Sequence, residues 1–537
     1  MIRYNYEPLL VLGPVFVLWL AGGMIGRRCF GNLHAMGSKW LQATGLAVAL
    51  LLVIANVALV LTYLVSATHL DHIEPSVVCG AYGLMHGKTL YHAPDAAERY
   101  SLLYGPATYL LYGIGMWGFG ESFFACKLVA GMAALGALAI GARQGSRFCR
   151  GEQLWLLAGA LAALLLAHAP KTFWVRADPL ILFCVSWALW AAVSARRTTA
   201  VACFAIALGI ATNLKINAPL HFALPGVLLY ERFGPRALIA TGIVGGATAV
   251  LPFLLPGVSF ENWVSTLRVA GRHGIGLAEL RWAAEWFVSM GGMLVSLWLV
   301  TKKFQPAAFE DGQRLGEKHM LALLVSLVGA GLFASKAGSD PTQFVPLLPL
   351  LVWVGGYRWF SLALPTRRLI LDQHYWFGAL LGASLLTGGA LGIYQGQQTF
   401  RAILQQDPIS SAVYSDLRFL MMLWRDKRIS MGCGDNRSEF ISNHFVPLAL
   451  EGYPYLLDPV ALMEYDKAGM PLPVRTRELI EKANVDVWLI PKGDAPFSMR
   501  NPYPPHRPLF DTAFREAFER RYRKIASSHF FDVYAPE

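Results

Sequence analysis

Long apolar runs recur through the first 395 residues, near 9–25, 41–67, 124–142, 153–168, 179–195, 199–213, 217–230, 237–256, 286–301, 319–335, 343–363 and 375–395. A helix needs ~20 apolar residues to cross a bilayer, and these runs are of that length or a little short of it. With 55% of residues hydrophobic and 15% charged, the chain has too little polar surface for a soluble protein of its size. The expected fold is therefore mainly α, a polytopic transmembrane helical bundle of about twelve spans over residues 1–395. The run at 9–25 lacks a basic flank before it and a small-residue cleavage site after it, so it is expected to be a retained first span.

The net charge of +11 does not indicate a nucleic-acid partner, because the basic residues sit in short clusters between apolar runs. Alternate connections hold Arg27, Arg28 and Lys39; Arg143, Arg147 and Arg150; Arg196 and Arg197; Arg232 and Arg236; Lys302, Lys303, Arg314 and Lys318; and Arg367 and Arg368. The intervening connections are poorer in Lys and Arg for their length and carry Asp71, Glu74, Asp95, Glu98, Asp178, Glu261, Glu279, Glu285 and Asp340. The positive-inside rule then puts these acids on the extracytoplasmic side.

The first outside loop, about 68–123, contains an uncharged stretch from Pro106 to Gly120 that is short for a span and is expected to be an interfacial or re-entrant helix. Its Gly113-Ile-Gly115-Met-Trp-Gly118 matches a dinucleotide fingerprint only formally, since no strand precedes it. From about residue 396 the chain turns polar, and 396–537 is expected to be a small extracytoplasmic α/β domain. Strands are expected at Val485–Pro491 and Phe530–Tyr534, with helices at Thr476–Ala483 and Thr512–Lys524. Of the seven cysteines only Cys433 lies in this tail, which excludes a disulfide within it. Asn436-Arg-Ser438 is a chance-level glycosylation tripeptide.

Asp71 and Glu74 stand in His69-Leu-Asp-His-Ile-Glu-Pro75, directly after the run at 41–67. Charges at the rim of a span can stay wet and face a membrane-bound substrate, whereas charges at its centre are costly. Downstream come Gly87-Lys-Thr-Leu-Tyr91, Tyr104-Gly-Pro-Ala-Thr-Tyr-Leu-Leu111, Phe119-Gly120 and Lys127-Leu128, then Arg176-Ala-Asp178-Pro-Leu180, Lys215, Lys336-Ala-Gly-Ser-Asp340 and Phe344-Val-Pro346. This order resembles the GT-C superfamily of membrane glycosyltransferases, in its protein mannosyltransferase and aminoarabinose transferase branch, over most of residues 60–360. The common adjacent Asp-Glu pair is replaced here by Asp71 with Ile73 before Glu74, and one more span precedes the loop than in many members.

The resemblance implies an inverting glycosyltransferase in a bacterial inner membrane, acting on a polyprenyl-phosphate sugar donor and an extracytoplasmic glycan, lipid or protein acceptor. Its catalytic acids would be Glu74, Asp71 and Asp178, with Glu74 nearer the family position by its distance to Gly87. A base for the acceptor proton and cations for the phosphate are what such a transfer needs. Lys88, Lys171, Arg176, Lys215, Arg272, His273 and Lys336 supply the cations, and Tyr104 a sugar platform. Lys215 and Lys336 rank first among them, since a lysine flanked by apolar helix needs a partner. No cofactor is expected, and the chain is expected to be a monomer among membrane lipids. A divalent cation on Asp71 and Glu74 is the alternative at the same site.

Plainer roles compete with these. Asp71 and Asp178 suit helix caps before Pro75 and Pro179, while Lys88, Lys171 and Arg272 suit solvated or headgroup-facing loops. His273 and His168 suit packing, and Tyr104 an interfacial aromatic belt. Two rival functions are a twelve-span secondary transporter, which would carry its ionisable groups near the midplane, and a lipid-linked oligosaccharide ligase.

Overall fold

A computed structural model describes residues 37–304, 314–363, 365–367, 370, 375–503 and 505–537. The expected first span at 9–25, with Arg27, Arg28, Cys29 and Arg368, lies outside the described residues. The helices run α1 (Gly37–Val65), α2 (Ile73–Met85), α3 (Pro106–Phe119), α4 (Phe123–Gly145), α5 (Glu152–Ala167), α6 (Ala177–Ser194) and α7 (Arg197–Leu214). They continue with α8 (Ala223–Phe233), α9 (Pro235–Val250), α10 (Phe260–Gly271), α11 (Leu277–Thr301), α12 (Glu317–Ala334), α13 (Leu348–Phe360) and α14 (Tyr375–Leu423). Among the described residues seven helices are long and apolar enough to cross a membrane. Large apolar side chains such as Leu51, Ile54, Ile243 and Leu254 face outward from them, the arrangement of a bundle whose solvent is lipid rather than water. The chain is an integral membrane protein.

Lipid offers little hydrophobic drive between helices, so close backbone approach by small residues takes its place. Helix α9 packs on α7 through Gly209 and Gly245; a Cβ at Gly209 would stand 2.5 Å from the Gly245 carbonyl oxygen. Two of the apolar runs are not continuous helices. Residues 217–230 form a 3-10 turn, Ala218–Phe222, leading into the 11-residue α8, and 343–363 form Pro341–Leu347 followed by α13. Prolines at 219, 225, 346 and 349 lack the amide hydrogen that a continuous helix needs.

The two ends of the bundle differ in charge. At one end Arg147 donates to the Val193 carbonyl at 2.7 Å, Arg232 to that of Ala192 at 3.3 Å, and Arg358 to that of Leu315 at 3.3 Å. Lys318 and His319 pair with Glu231 there. The opposite end carries the loops with Asp71, Arg176, Lys215 and Asp340, together with the C-terminal domain.

Helix α14 runs through the expected boundary at 395/396 as one 49-residue element, so the domain's own fold starts after Leu423. It contains β1 (Ile429–Met431), α15 (Glu439–Ser442), α16 (Val446–Leu450), α17 (Pro459–Lys467), α18 (Val474–Glu481), β2 (Val487–Pro491), α19 (Thr512–Arg521), β3 (Tyr522–Ser527) and β4 (Phe531–Pro536). The sheet order is β1-β2-β4-β3, with β1 and β2 parallel and the other pairs antiparallel. Both expected strands and both expected helices are present within a few residues. The expected helix 512–524 ends at Arg521 because residues 522–527 pair with β4 as a hairpin.

The first loop is bolted to this domain. Arg99 donates its amide to the Leu456 carbonyl and accepts from the Asp458 amide, each at 2.7 Å. Beside it His92 is 5% exposed; its Nδ1 bonds the Ala93 carbonyl at 3.1 Å and its Nε2 accepts from the Tyr100 amide at 3.2 Å. Burial, then the Arg99 guanidinium, pushes its pKa down to about 4 from an ordinary 6.5. The folded ring binds its proton less readily than the unfolded one, so its contribution is complete above pH 6.5 and is lost as pH falls toward 4. That gap corresponds to roughly 3 kcal/mol. His92→Gln is expected to flatten the fall in melting temperature across that window; an unchanged slope would show that the ring does not titrate there.

Candidate active site

Helix α2 starts at Ile73, and its first turn decides the fate of both early acids. Glu74 is fully buried. Its Oε1 accepts from the Tyr63 hydroxyl and from the Val175 amide at 2.8 Å. Its Oε2 accepts from the amides of Leu70 at 2.6 Å and Asp71 at 3.0 Å. Burial pushes its pKa above the ordinary carboxylate value, against the opposing pull of the Tyr63, Val175 and Leu70 bonds. Every acceptor position of Glu74 is thus occupied by the protein's own donors, which tie α1, the turn before α2 and the segment before α6 together.

Asp71 is placed differently. Its Oδ1 accepts from the Ile73 amide at 2.9 Å, a cap at the start of α2, and lies 3.5 Å from Arg176 NH1. Its Oδ2 accepts no hydrogen bond among the described residues, and the side chain remains 16% exposed. The helix-cap role and a catalytic role therefore use different oxygens of one carboxylate. Of the two acids, Asp71 and not Glu74 keeps an oxygen without a hydrogen bond among the described residues.

Arg176 is the hub. Its Nε donates to the Tyr104 hydroxyl at 2.8 Å and lies 3.6 Å from Asp178 Oδ2, while its guanidinium stacks 4.3 Å from the Trp174 ring. Asp178, in the first turn of α6, accepts from Lys215 at 2.6 Å through Oδ1, and its buried Oδ2 has no hydrogen-bond partner. Lys215 stands at the C-terminus of α7, 5.6 Å from the Tyr104 ring. Burial pushes the Tyr104 phenol up, while Arg176 draws it back. Tyr104 is followed by a glycine because the turn presses on α7. A Cβ at Gly105 would sit 1.6 Å from the Asn213 carbonyl oxygen, and the Asn213 side chain caps α3 through the Ala107 amide at 2.6 Å.

Next to this network Lys171 pairs with Asp340 at 2.6 Å. Although burial pushes the Asp340 carboxyl up, Lys171 and Arg176 hold it well below the usual range. Asp71, Tyr104, Arg176, Asp178 and Lys215 are brought together as one network, with Lys171 alongside. The remaining cations lie outside it. Lys336 donates to the Ala270 carbonyl at 3.1 Å at the end of α10, His273 bonds the Glu464 carbonyl of the C-terminal domain at 3.1 Å, and Lys88 stands 5.8 Å from the Tyr82 ring. Arg272 is an exposed helix terminus. His168 packs 4.5 Å from Trp286, a packing role.

Some of the setting was not legible beforehand. Lys127 is buried, and its ammonium donates to the carbonyls of Ser66 at 2.8 Å and Thr68 at 2.6 Å, closing the chain just after α1. His69 and His72 face the C-terminal domain, where His72 lies 3.6 Å from Glu439 and the His69 ring 4.8 Å from His444. Lys467, over Tyr503 at 4.7 Å, would meet a Cβ at Gly338 at 2.6 Å. Asp71 and Glu74 do not fit a shared cation, because both Glu74 oxygens already accept two hydrogen bonds. Among the described residues no group of three or more His, Cys, Asp or Glu side chains is disposed to hold a metal ion.

No family model and no curated protein matches the sequence. Solved structures do match. ArnT from Cupriavidus metallidurans, bound to undecaprenyl phosphate, superposes with a TM-score of 0.52 at 14% identity over 93% of this chain and 98% of that one. Its apo form gives the same values, 0.52 and 14% over 93% and 98%. The oligosaccharyltransferase of Archaeoglobus fulgidus gives a TM-score of 0.47 at 12% identity over 83% of this chain and 69% of that one. The near-complete mutual coverage with ArnT spans bundle and C-terminal domain alike, so this chain shares the overall fold of that protein.

Proposed function

We propose that the protein is an inverting GT-C glycosyltransferase that moves a sugar from a polyprenyl-phosphate donor to an extracytoplasmic acceptor. The observation that carries the reading is the Asp71 carboxylate, held through one oxygen by Ile73 and Arg176 and open at the other. Arg176 links it to Lys215 through Asp178, and to Lys171 through Asp340. Support for the donor class comes from the shared fold with a protein solved with undecaprenyl phosphate.

In this reading Asp71 Oδ2 takes the proton of the acceptor hydroxyl or amine as that atom attacks the anomeric carbon. The bond from that carbon to the phosphate oxygen breaks on the opposite face, and polyprenyl phosphate leaves with the electron pair. Arg176, Lys215 and Lys171 balance the charge that grows on the leaving group. All three are already held by carboxylates or Tyr104, so they are preorganised and need little rearrangement when charge develops. The basic end of the bundle supports a cytoplasmic placement for that face, and hence an extracytoplasmic site in a bacterial inner membrane. A monomer suffices, since every residue invoked belongs to one chain. The transporter reading is disfavoured by the position of the network, at the loop end under a folded domain rather than at mid-bundle.

The test is transfer in proteoliposomes from a labelled polyprenyl-phosphate sugar to cell-envelope extract. The expected result is label leaving the lipid, at a rate unaffected by chelator. Label that stays on the lipid with folded protein sinks the proposal, and loss with chelator restored by divalent cation sinks its metal-free form.

A further inference from the structure

A cavity of about 420 Å³ opens in the C-terminal domain, between α17, the turn at Gly469–Pro473 and the segment from Arg507 into α19. None of its lining residues belongs to the Asp71 network. Its size falls within the ~300–1,000 Å³ usual for small-ligand sites. Three guanidinium groups line it, those of Arg99, Arg507 and Arg515, against two carboxylates, Asp466 and Asp511.

Both carboxylates are already engaged. Asp466 accepts from Arg507 Nε at 2.8 Å and from Asn501 Nδ2 at 2.7 Å, and Asp511 caps α19 through the Phe514 amide at 2.7 Å. Arg99 is fully buried, and its side-chain donors go to neutral groups: the carbonyls of Pro94 at 2.8 Å and Ala96 at 2.5 Å and the Thr476 hydroxyl at 3.4 Å. Among the described residues no carboxylate pairs with it at salt-bridge distance, although Asp95 and Glu98 lie near enough to act on it through space. Arg515 Nε is buried with no hydrogen-bond partner. An unused buried guanidinium donor at the wall of a cavity is costly unless an acceptor completes it, and with three guanidinium groups around that cavity an anion is the acceptor that fits. The remaining wall is apolar and partly aromatic, with Tyr465, Pro471 and Phe510, the kind of surface on which the apolar face of a sugar ring packs.

We infer that this cavity binds an acidic saccharide, a sugar ring carrying a carboxylate or phosphate that accepts hydrogen bonds from Arg515 and its neighbours. Resting on the glycosyltransfer reading, it holds a part of the acceptor glycan remote from the bond being formed, which makes the acceptor anionic. The first loop supplies Arg99 and also carries Asp71 earlier in the same connection, so the acceptor site and the base share one chain segment.

The test titrates the full chain in nanodiscs with glucuronate, glucose 6-phosphate and glucose, by calorimetry. At least one acidic sugar is expected to bind about tenfold or more tightly than glucose, and Arg515→Gln to weaken it by about tenfold or more, as loss of a charge-assisted hydrogen bond does. Whichever acidic sugar binds identifies carboxylate or phosphate as the group recognised. Arg507→Gln, at a half-exposed position, serves as the second variant if Arg515→Gln lowers the melting temperature. Binding equal to glucose, no binding, or variants that melt and bind like wild type overturn the inference. Asp71→Asn is expected to bind the acidic sugar unchanged. Acidic-sugar binding without any transfer would therefore overturn the enzymatic reading and leave the cavity's assignment standing.

Discussion

Asp71→Asn is expected to slow transfer by roughly 10²–10⁴-fold, the usual contribution of a general base, in a protein that folds and still binds its donor. Asparagine keeps the Oδ1 that accepts from the Ile73 amide and faces Arg176, so the start of α2 and the hub survive. What it removes is the basicity of the open oxygen. The loss should fall on kcat rather than KM, since Lys215 and Lys171, the cations proposed to meet the donor phosphate, are untouched. Transfer within a few-fold of wild type would show that Asp71 is only the helix cap.

Glu74→Gln is expected to fail in a different way, through stability. The four donors around Glu74 demand four acceptor positions, and glutamine offers an acceptor on one side and an NH2 on the other. Whichever way the amide turns, two donors lose their acceptor in a buried place, at about 1–3 kcal/mol each. A total of about 2–6 kcal/mol is comparable with the whole stability of many domains. The expected readout is a sharp loss of monodisperse protein and a lower melting temperature by size-exclusion fluorescence. If Glu74→Gln instead melts like wild type and transfers no sugar, the two acids exchange roles.

These variants separate two residues that look alike in sequence. Both acids lie in one hydrophilic turn after an apolar span, and their spacing to Gly87 favoured Glu74. What distinguishes them is contributed from far away: the Val175 amide, 101 positions along the chain, and the hydroxyl of Tyr63 on α1. Neither a span count nor a motif order reports which carboxylate meets those donors. The same holds for Lys336, whose apolar flanks suggested a partner and whose ammonium finds it in the Ala270 carbonyl, away from the Asp71 network. For Lys215 the reasoning from apolar flanks agreed with the outcome, and its partner is Asp178.

Helix lengths show a similar division. Apolarity marked the runs at 217–230 and 343–363 but not the prolines' effect on them, which makes each begin as a 3-10 turn that leads into a short α-helix. Composition marked a change near residue 396, yet the backbone of α14 continues to Leu423, because a helix tolerates a change from apolar to polar side chains without interruption.

By itself the sequence determined a membrane-embedded helical bundle, its charge asymmetry, the α/β character of the tail and the short set of acids and cations from which a site is made. Hydrophobic periodicity and loop charge are local properties, and they act one segment at a time. Only the tertiary structure decided that Glu74 is consumed by four donors while Asp71 keeps an open oxygen. It also decided that Arg176 joins Tyr104 to both aspartates, and that the C-terminal domain closes over the first loop through Arg99. Those outcomes depend on which hydrogen-bonding groups are buried against each other, and burial brings together residues that no spacing in the chain connects.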